Sequence, residues 1–165
     1  METPNNNPVY EKEATITINA KGREAKTQFV GEIKNEKLPN TGLGFLLGNK
    51  SDILDGSDLK ATYSDSIIEK DGTEITENTQ FVTGDIVDID GTNYILIIYG
   101  DGNKDGKISI LDTSTVISEI RGKKQLDDVQ KIALDVTKEG KISVLDSTKI
   151  INVIRGKSEF LSLLN

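Results

Sequence analysis

The sequence predicts two domains: a β-rich N-terminal module, either an Ig-like sandwich or a small α+β fold, followed by an all-α unit of two loop-and-helix repeats. Three observations predict this arrangement. Alternating and β-branched runs separated by Gly-containing turns occupy residues 9–99, an Asp-Gly-Asn-Lys-Asp-Gly loop opens at Asp101, and the segment that follows recurs without a gap further along the chain. The expected boundaries are 1–8 for a flexible linker or an artificial start, 9–99 for the β-rich module and 100–165 for the second unit, with repeats at about 101–123 and 135–157.

In the first module, Ala14-Thr15-Ile16-Thr17-Ile18 alternates apolar and polar, Lys21-Gly22 offers a turn, and Gln28-Phe29-Val30 resumes a strand. Leu43 to Leu47 is a short apolar run. Ser51 to Lys60 reads as a short helix weakened by Gly56. Turns fall at Asp71-Gly72 and Asp90-Gly91. The second is the stronger hairpin signal, because Asp-Gly suits a two-residue turn with both φ angles positive and lies between Asp85-Ile86-Val87-Asp88-Ile89 and a run from Asn93 to Tyr99. That run is rich in β-branched and aromatic residues and reads as a buried strand. Asp85, Asp88 and Asp90 are placed on a solvated strand-and-turn face rather than in a metal site.

The second unit carries the chemistry. A large hard cation takes six to eight oxygens, so a short chain must bend around it and offer carboxylates at alternate positions. Asp101, Asn103 and Asp105 stand at positions 1, 3 and 5 of such a loop, and Gly106 at position 6 allows the sharp turn. Lys107 offers its backbone carbonyl at position 7, Ser109 acts through water at position 9, and Asp112 closes the loop at position 12. These residues point to Ca2+.

The stretch from Gly106, G-K-I-S-I-L-D-T-S-T-V-I-S-E-I-R-G-K, aligns without gaps with G-K-I-S-V-L-D-S-T-K-I-I-N-V-I-R-G-K from Gly140. Two copies of one small unit can bury their apolar faces on each other. Ser109 with Asp112, and Ser143 with Asp146, have the spacing of a capping box and predict a helix start in each copy. Val116, Ile117 and Ile120, with Ile150, Ile151 and Ile154, are expected to form the core stripes. Arg121-Gly122 and Arg155-Gly156 predict the C-terminal caps. In the second loop, Asp135, Thr137 and Glu139 hold positions 1, 3 and 5, Lys141 offers its carbonyl, Ser143 acts through water, and Asp146 closes the loop. Thr137 and Glu139 depart from the Asn/Asp pattern, so this site is expected to bind more weakly or to stay empty.

The strand before Asp101 leaves no room for the entering helix of a full EF-hand. A calcium loop followed by one exiting helix, duplicated with a short linker, resembles the dockerin family at D-x-N-x-D-G-x-I-S-x-x-D, over about residues 100–157. The preceding module resembles the small X-type modules that precede dockerins in position and length only. The resemblance implies a cohesin module as partner and contacts at the helix starts: Ile110 and Leu111 in one copy, Val144 and Leu145 in the other, with Ser118 and Asn152 as matching polar contacts. Ordinary amphipathic geometry leads to the expectation that at least one member of these apolar pairs packs inward. Near-identity of the repeats suggests docking through either helix.

Composition bounds the rest. Twenty basic against twenty-seven acidic residues give a net charge of -7, which argues against nucleic acid. There is no Cys and no His, so disulfides are excluded and acid-base chemistry would fall to carboxylates, Lys, Ser or Tyr. No run reaches membrane-spanning length. Met1 to Pro8 is polar rather than a signal sequence, and the chain is therefore expected to be a fragment of an exported protein. Together with this composition, the resemblance to dockerins implies a non-catalytic, extracellular or cell-surface interaction module, a monomer in isolation, serving in a cellulosome-like complex for polysaccharide breakdown. The alternatives are a calcium-stiffened spacer of a surface protein and the C-terminal fragment of a glycoside hydrolase. Phe160-Leu161-Ser162-Leu163-Leu164 is expected to clasp the chain start.

Overall fold

A computed structural model describes residues 31–39, 41–48, 53–158 and 160 of the 165-residue chain. Six strands form one mixed sheet: β1 Glu32–Lys34, β2 Gly44–Gly48, β3 Ile68–Lys70, β4 Thr73–Glu74, β5 Ile86–Ile89 and β6 Thr92–Ile98, in the order β1-β2-β6-β5-β3-β4. Four helices are described: α1 Gly56–Thr62, α2 Ile110–Ile120, α3 Asp128–Leu134 and α4 Val144–Ile154.

The Ig-like sandwich is overturned, because the described strands make a single layer that contains a parallel pair. β2 runs parallel to β6, with Phe45 opposite Ile95 and Leu47 opposite Ile97, while all other neighbours are antiparallel. A parallel pair requires a long crossover, here supplied by α1 and strands β3 to β5. Continuous apolar sequence in β2 and β6 follows from burial on both faces. Phe45, Leu47, Ile95, Ile97 and Tyr99 face a core that contains Val116, Leu134, Ile150 and Val153 of the helices. Leu46, Leu96 and Ile98 face the opposite core with Leu54, Leu59, Ile68, Phe81 and Val87.

The separate all-α unit is corrected as well. The described part of residues 100–165 has helices only over 110–120, 128–134 and 144–154, with loops and turns between them, and its apolar residues share a core with the sheet. An isolated pair of 11-residue helices has little apolar area to bury, and the face of β2 and β6 supplies the missing partner.

Local chemistry explains the elements. Asp90 and Gly91 have φ of 52° and 86°, the left-handed pair that a two-residue hairpin requires, and join β5 to β6. The expected helix in 51–60 begins only at Gly56, capped reciprocally by Asp55 and Asp58. Gly56 belongs at that start because a Cβ there would collide with the Thr76 carbonyl. Asp85, Asp88 and Asp90 are engaged as local ties: Asp85 pairs with Lys70 at 2.7 Å, Asp88 accepts from the Gly91 N–H at 2.6 Å, and Asp90 accepts from the Ile67 N–H at 2.8 Å. The Ile67 N–H holds the Asp90 carboxyl below its usual range.

The linker at 1–8, the strand at 14–18, the turn at 21–22 and the strand at 28–30 lie outside the described residues, as do Leu161 to Leu164. Phe160 is buried with its ring against Gly100, where a Cβ would come within 2.5 Å of it.

Candidate functional site

Both loops adopt one backbone design. Lys104 and Lys138 at loop position 4 have φ of 64° and 62°, and Gly106 and Gly140 at position 6 have 80° and 83°. Left-handed geometry at a lysine is costly, so its recurrence at the same place marks a conformation imposed by the loop as a whole. At the head of each loop the position 1 carboxylate draws in the N–H groups of positions 5 and 6. Asp101 accepts from Asp105 at 3.0 Å and Gly106 at 3.1 Å; Asp135 accepts from Glu139 at 3.0 Å and Gly140 at 2.7 Å.

The closing carboxylates do two tasks. Asp112 accepts from the N–H groups of Gly102 and Asn103 through Oδ1 and from that of Ser109 through Oδ2, which completes the Ser109 capping box of α2. Asp146 does the same for Ser143 at the start of α4 and accepts from the Thr137 N–H. Each helix therefore begins on a residue that also closes its loop. The far ends match too: Gly122 and Gly156, at φ of 67° and 71°, place the N–H groups of Lys123 and Lys157 on the carbonyls of Ser118 and Asn152, a complete C-terminal cap.

Electrostatics distinguishes the first loop. Burial raises the Asp101 carboxyl above its ordinary value, against the N–H bonds that lower it. Burial pushes Asp112 up to about 6, and repulsion from Asp101 and Asp105 adds to the shift. Three carboxylates within Coulomb reach, two of them on fully buried residues, make a set that a hard cation would stabilise. Among the described residues, no three Asp, Glu, His or Cys side chains converge as a ready-made metal cluster. The donor set nevertheless fits Ca2+, because it counts on the Asn103 amide and a backbone carbonyl beside its carboxylates, and hard cations accept such oxygens.

Side-chain bonds link positions 3 and 5 in both loops, through the Asn103 amide to Asp105 at 2.8 Å in the first and through a hydroxyl in the second. The Thr137 hydroxyl lies 2.9 Å from Asp146 Oδ1 and 3.1 Å from Glu139 Oε1, and the Ser143 hydroxyl donates to the same Glu139 oxygen at 2.8 Å. Those two hydroxyls hold the exposed Glu139 carboxyl below its usual range.

Helix α3 lies in 124–134, where the sequence leads to the expectation of only a short linker between the repeats. Its signals are Asp127 and Gln130, a reciprocal cap, with Val129, Ile132 and Ala133 as the apolar positions. The helix braces the first loop: Gln130 Nε2 donates to the Gly102 carbonyl at 2.8 Å, and the Gly100 N–H donates to the Ala133 carbonyl at 2.7 Å. Lys104 reaches Asp127 at 2.7 Å. Burial would raise the Asp127 carboxyl, but that lysine and the Gln130 N–H hold it below the usual range.

The helix starts present an apolar surface. Ile110 and Leu111 are 60% and 57% exposed, and Val144 and Leu145 are 60% and 58% exposed. The expectation that one member of each pair packs inward is thereby corrected. The inward stripe runs instead through Thr113 and Val116 in α2 and through Ser147, Ile150 and Val153 in α4. Ile120 and Ile154, expected in the core, are each 43% exposed, and Ile120 lines an open groove of about 490 Å³ with Ile132 and Ile142. Ser118 and Asn152 are half-buried, one on each helix.

Residues 99–155 match the family model of the dockerin type I domain. The match begins at Tyr99, the residue after β6, and takes in both loops, both capped helices and α3 between them. Domains of the dockerin family are non-catalytic, bind Ca2+ and associate with cohesin modules. No curated protein and no solved structure matches the chain. No described helix of this chain is long and apolar enough to cross a membrane.

Proposed function

We propose that residues 100–165 are a calcium-dependent docking module that binds a cohesin and so attaches an extracellular protein, a glycan-degrading enzyme or a surface protein, to a complex or a cell surface. The observation that carries this is the pairing of Ile110-Leu111 with Val144-Leu145, four exposed apolar side chains at the first turns of two helices whose starts are built by the loops. Exposed apolar groups held on rigid capped helices suit a partner surface. Ser118 and Asn152, equivalent positions of the two helices, are the polar contacts of that surface.

Calcium is assigned to the first loop through Asp101, Asn103, Asp105, the Lys107 carbonyl, Ser109 through water, and Asp112. In the second loop the corresponding set is Asp135, Thr137, Glu139, the Lys141 carbonyl, Ser143 through water, and Asp146, with weaker binding, since Thr137 offers a neutral hydroxyl at position 3 and Glu139 a longer arm at position 5. The metal is structural: it neutralises buried carboxylates and holds the helix starts in place. The described part of residues 9–99, in the place of an X-type module, stiffens the docking unit through the core shared by Phe45, Leu47, Ile95 and Ile97.

Calcium titration by calorimetry, followed by pull-down on a panel of cohesin modules with and without chelator, tests the proposal. Calcium uptake and chelator-sensitive capture by at least one cohesin is the expected result. Calcium uptake without any cohesin partner would leave a calcium-stiffened spacer, and hydrolysis of glycan substrates by the chain would restore the enzyme class.

A further inference from the structure

The two loops share a backbone, yet their surroundings differ. A Cβ on Gly106 would meet the Phe81 carbonyl at 2.7 Å and Val82 Cγ1 at 3.1 Å, whereas one on Gly140 would meet nothing within 4 Å. Asp101 is fully buried and Asp135 is partly exposed. Beyond the two N–H bonds common to both loops, Asp101 receives a third: the Thr83 N–H donates to its Oδ2 at 2.9 Å. Asp135 has no such third N–H donor among the described residues.

Thr83 is itself buried, in the turn before β5, and its hydroxyl accepts from the Ile98 N–H at 3.0 Å and lies 3.3 Å from the Ile98 carbonyl. Ile98 ends β6, and its carbonyl accepts the Asp101 N–H at 3.0 Å. One residue thus grips both the carboxylate and the strand end from which the loop departs.

We propose that the 81–84 segment is the outer wall of the first calcium loop and that Thr83 is a positioning residue for Asp101, so that calcium affinity there depends on residues outside the repeat. This rests on the assignment of calcium to the first loop. The bond arithmetic is compatible with it. Oδ2 takes the Thr83 and Gly106 N–H groups, while Oδ1 takes only that of Asp105 and keeps acceptor capacity for a cation. A carboxylate already held in place loses less freedom on binding, and partners of metal ligands commonly tune affinity in this way. Among the described residues the second loop has no such wall, so the two sites are inequivalent for a tertiary reason as well as through Thr137 and Glu139.

The test is calcium calorimetry on the chelator-stripped full chain in two backgrounds, Asp135→Ala to isolate the first loop and Asp105→Ala to isolate the second. Thr83→Val keeps the N–H that meets Asp101 but removes the hydroxyl that ties it to Ile98; it is expected to weaken the first loop by about tenfold or more and to leave the second unchanged, and Thr83→Ser is expected to restore the first. Unchanged affinity at the first loop, or equal weakening of both, overturns the inference. If circular dichroism shows that Thr83→Val does not fold, Gly106→Ala against Gly140→Ala decides: both place a side chain at the same φ, but only the first meets a wall. Equal losses at the two loops then overturn the inference, and a larger loss at the first supports it. A parent chain that takes up no calcium in either background removes the calcium assignment itself, a failure distinct from loss of the Thr83 effect.

Discussion

Leu134 packs so closely over Gly102 that a Cβ at residue 102 would overlap three of its side-chain carbons. Gly102 lies at position 2 of the first loop and does not have the left-handed φ of Gly106, so its requirement for glycine comes from packing alone. Gly102→Ala should therefore cost about 1–3 kcal/mol by overpacking. Chemical denaturation measures it; a change below a few tenths of a kcal/mol would show that α3 does not brace the loop.

Buried helix positions should separate sharply from their exposed neighbours. Ile150 is fully buried whereas Ile154, one turn on, is 43% exposed. Ile150→Ala is expected to cost about 2–5 kcal/mol, and Ile154→Ala to stay within about 0.5 kcal/mol. Equal losses in thermal unfolding would return Ile154 to the core.

The calcium-free chain should show an inverted pH dependence in the acid range. Desolvation pushes the Asp112 carboxyl up to about 6 from the usual 3.8, with repulsion from Asp101 and Asp105 contributing. Between those values the folded state holds a proton that the unfolded state releases, so stability contributed by this group falls as pH rises through the window. Calcium removes the repulsion, and its gain in Tm should be larger at pH 7 than at pH 5. Scanning calorimetry with calcium and with chelator at both values checks this; equal gains would detach Asp112 from the metal.

Docking through either helix predicts redundancy. Leu111→Ala and Leu145→Ala should each reduce cohesin capture by less than about tenfold, and the double variant should abolish it, as expected for two alternative contact sets with an apolar anchor each. Complete loss from one single variant would mean that one helix does the binding.

Much of the site is local and was therefore legible in the chain. The turn at Gly106, the two Ser-to-Asp capping boxes and the Arg-Gly ends all act within a dozen residues, and each has the geometry its residues predict. Helix α3 was legible in principle, through Asp127 and Gln130, but its seven residues are too few to show a full apolar period. The direction of Ile110 and Val144 was not legible, because amphipathic spacing allows several faces and only the position of the sheet selects one.

The sequence by itself determined the loops, their repetition, the helix caps and the Asp-Gly hairpin, since those depend on contacts a few residues apart. Tertiary structure decided the rest: the parallel pairing of β2 with β6, the core that joins the sheet to α2, α3 and α4, and the wall at Thr83 that separates the first loop from its twin. Such pairings link residues far apart in the chain, and their partners are chosen by which apolar faces remain uncovered once the local elements have formed.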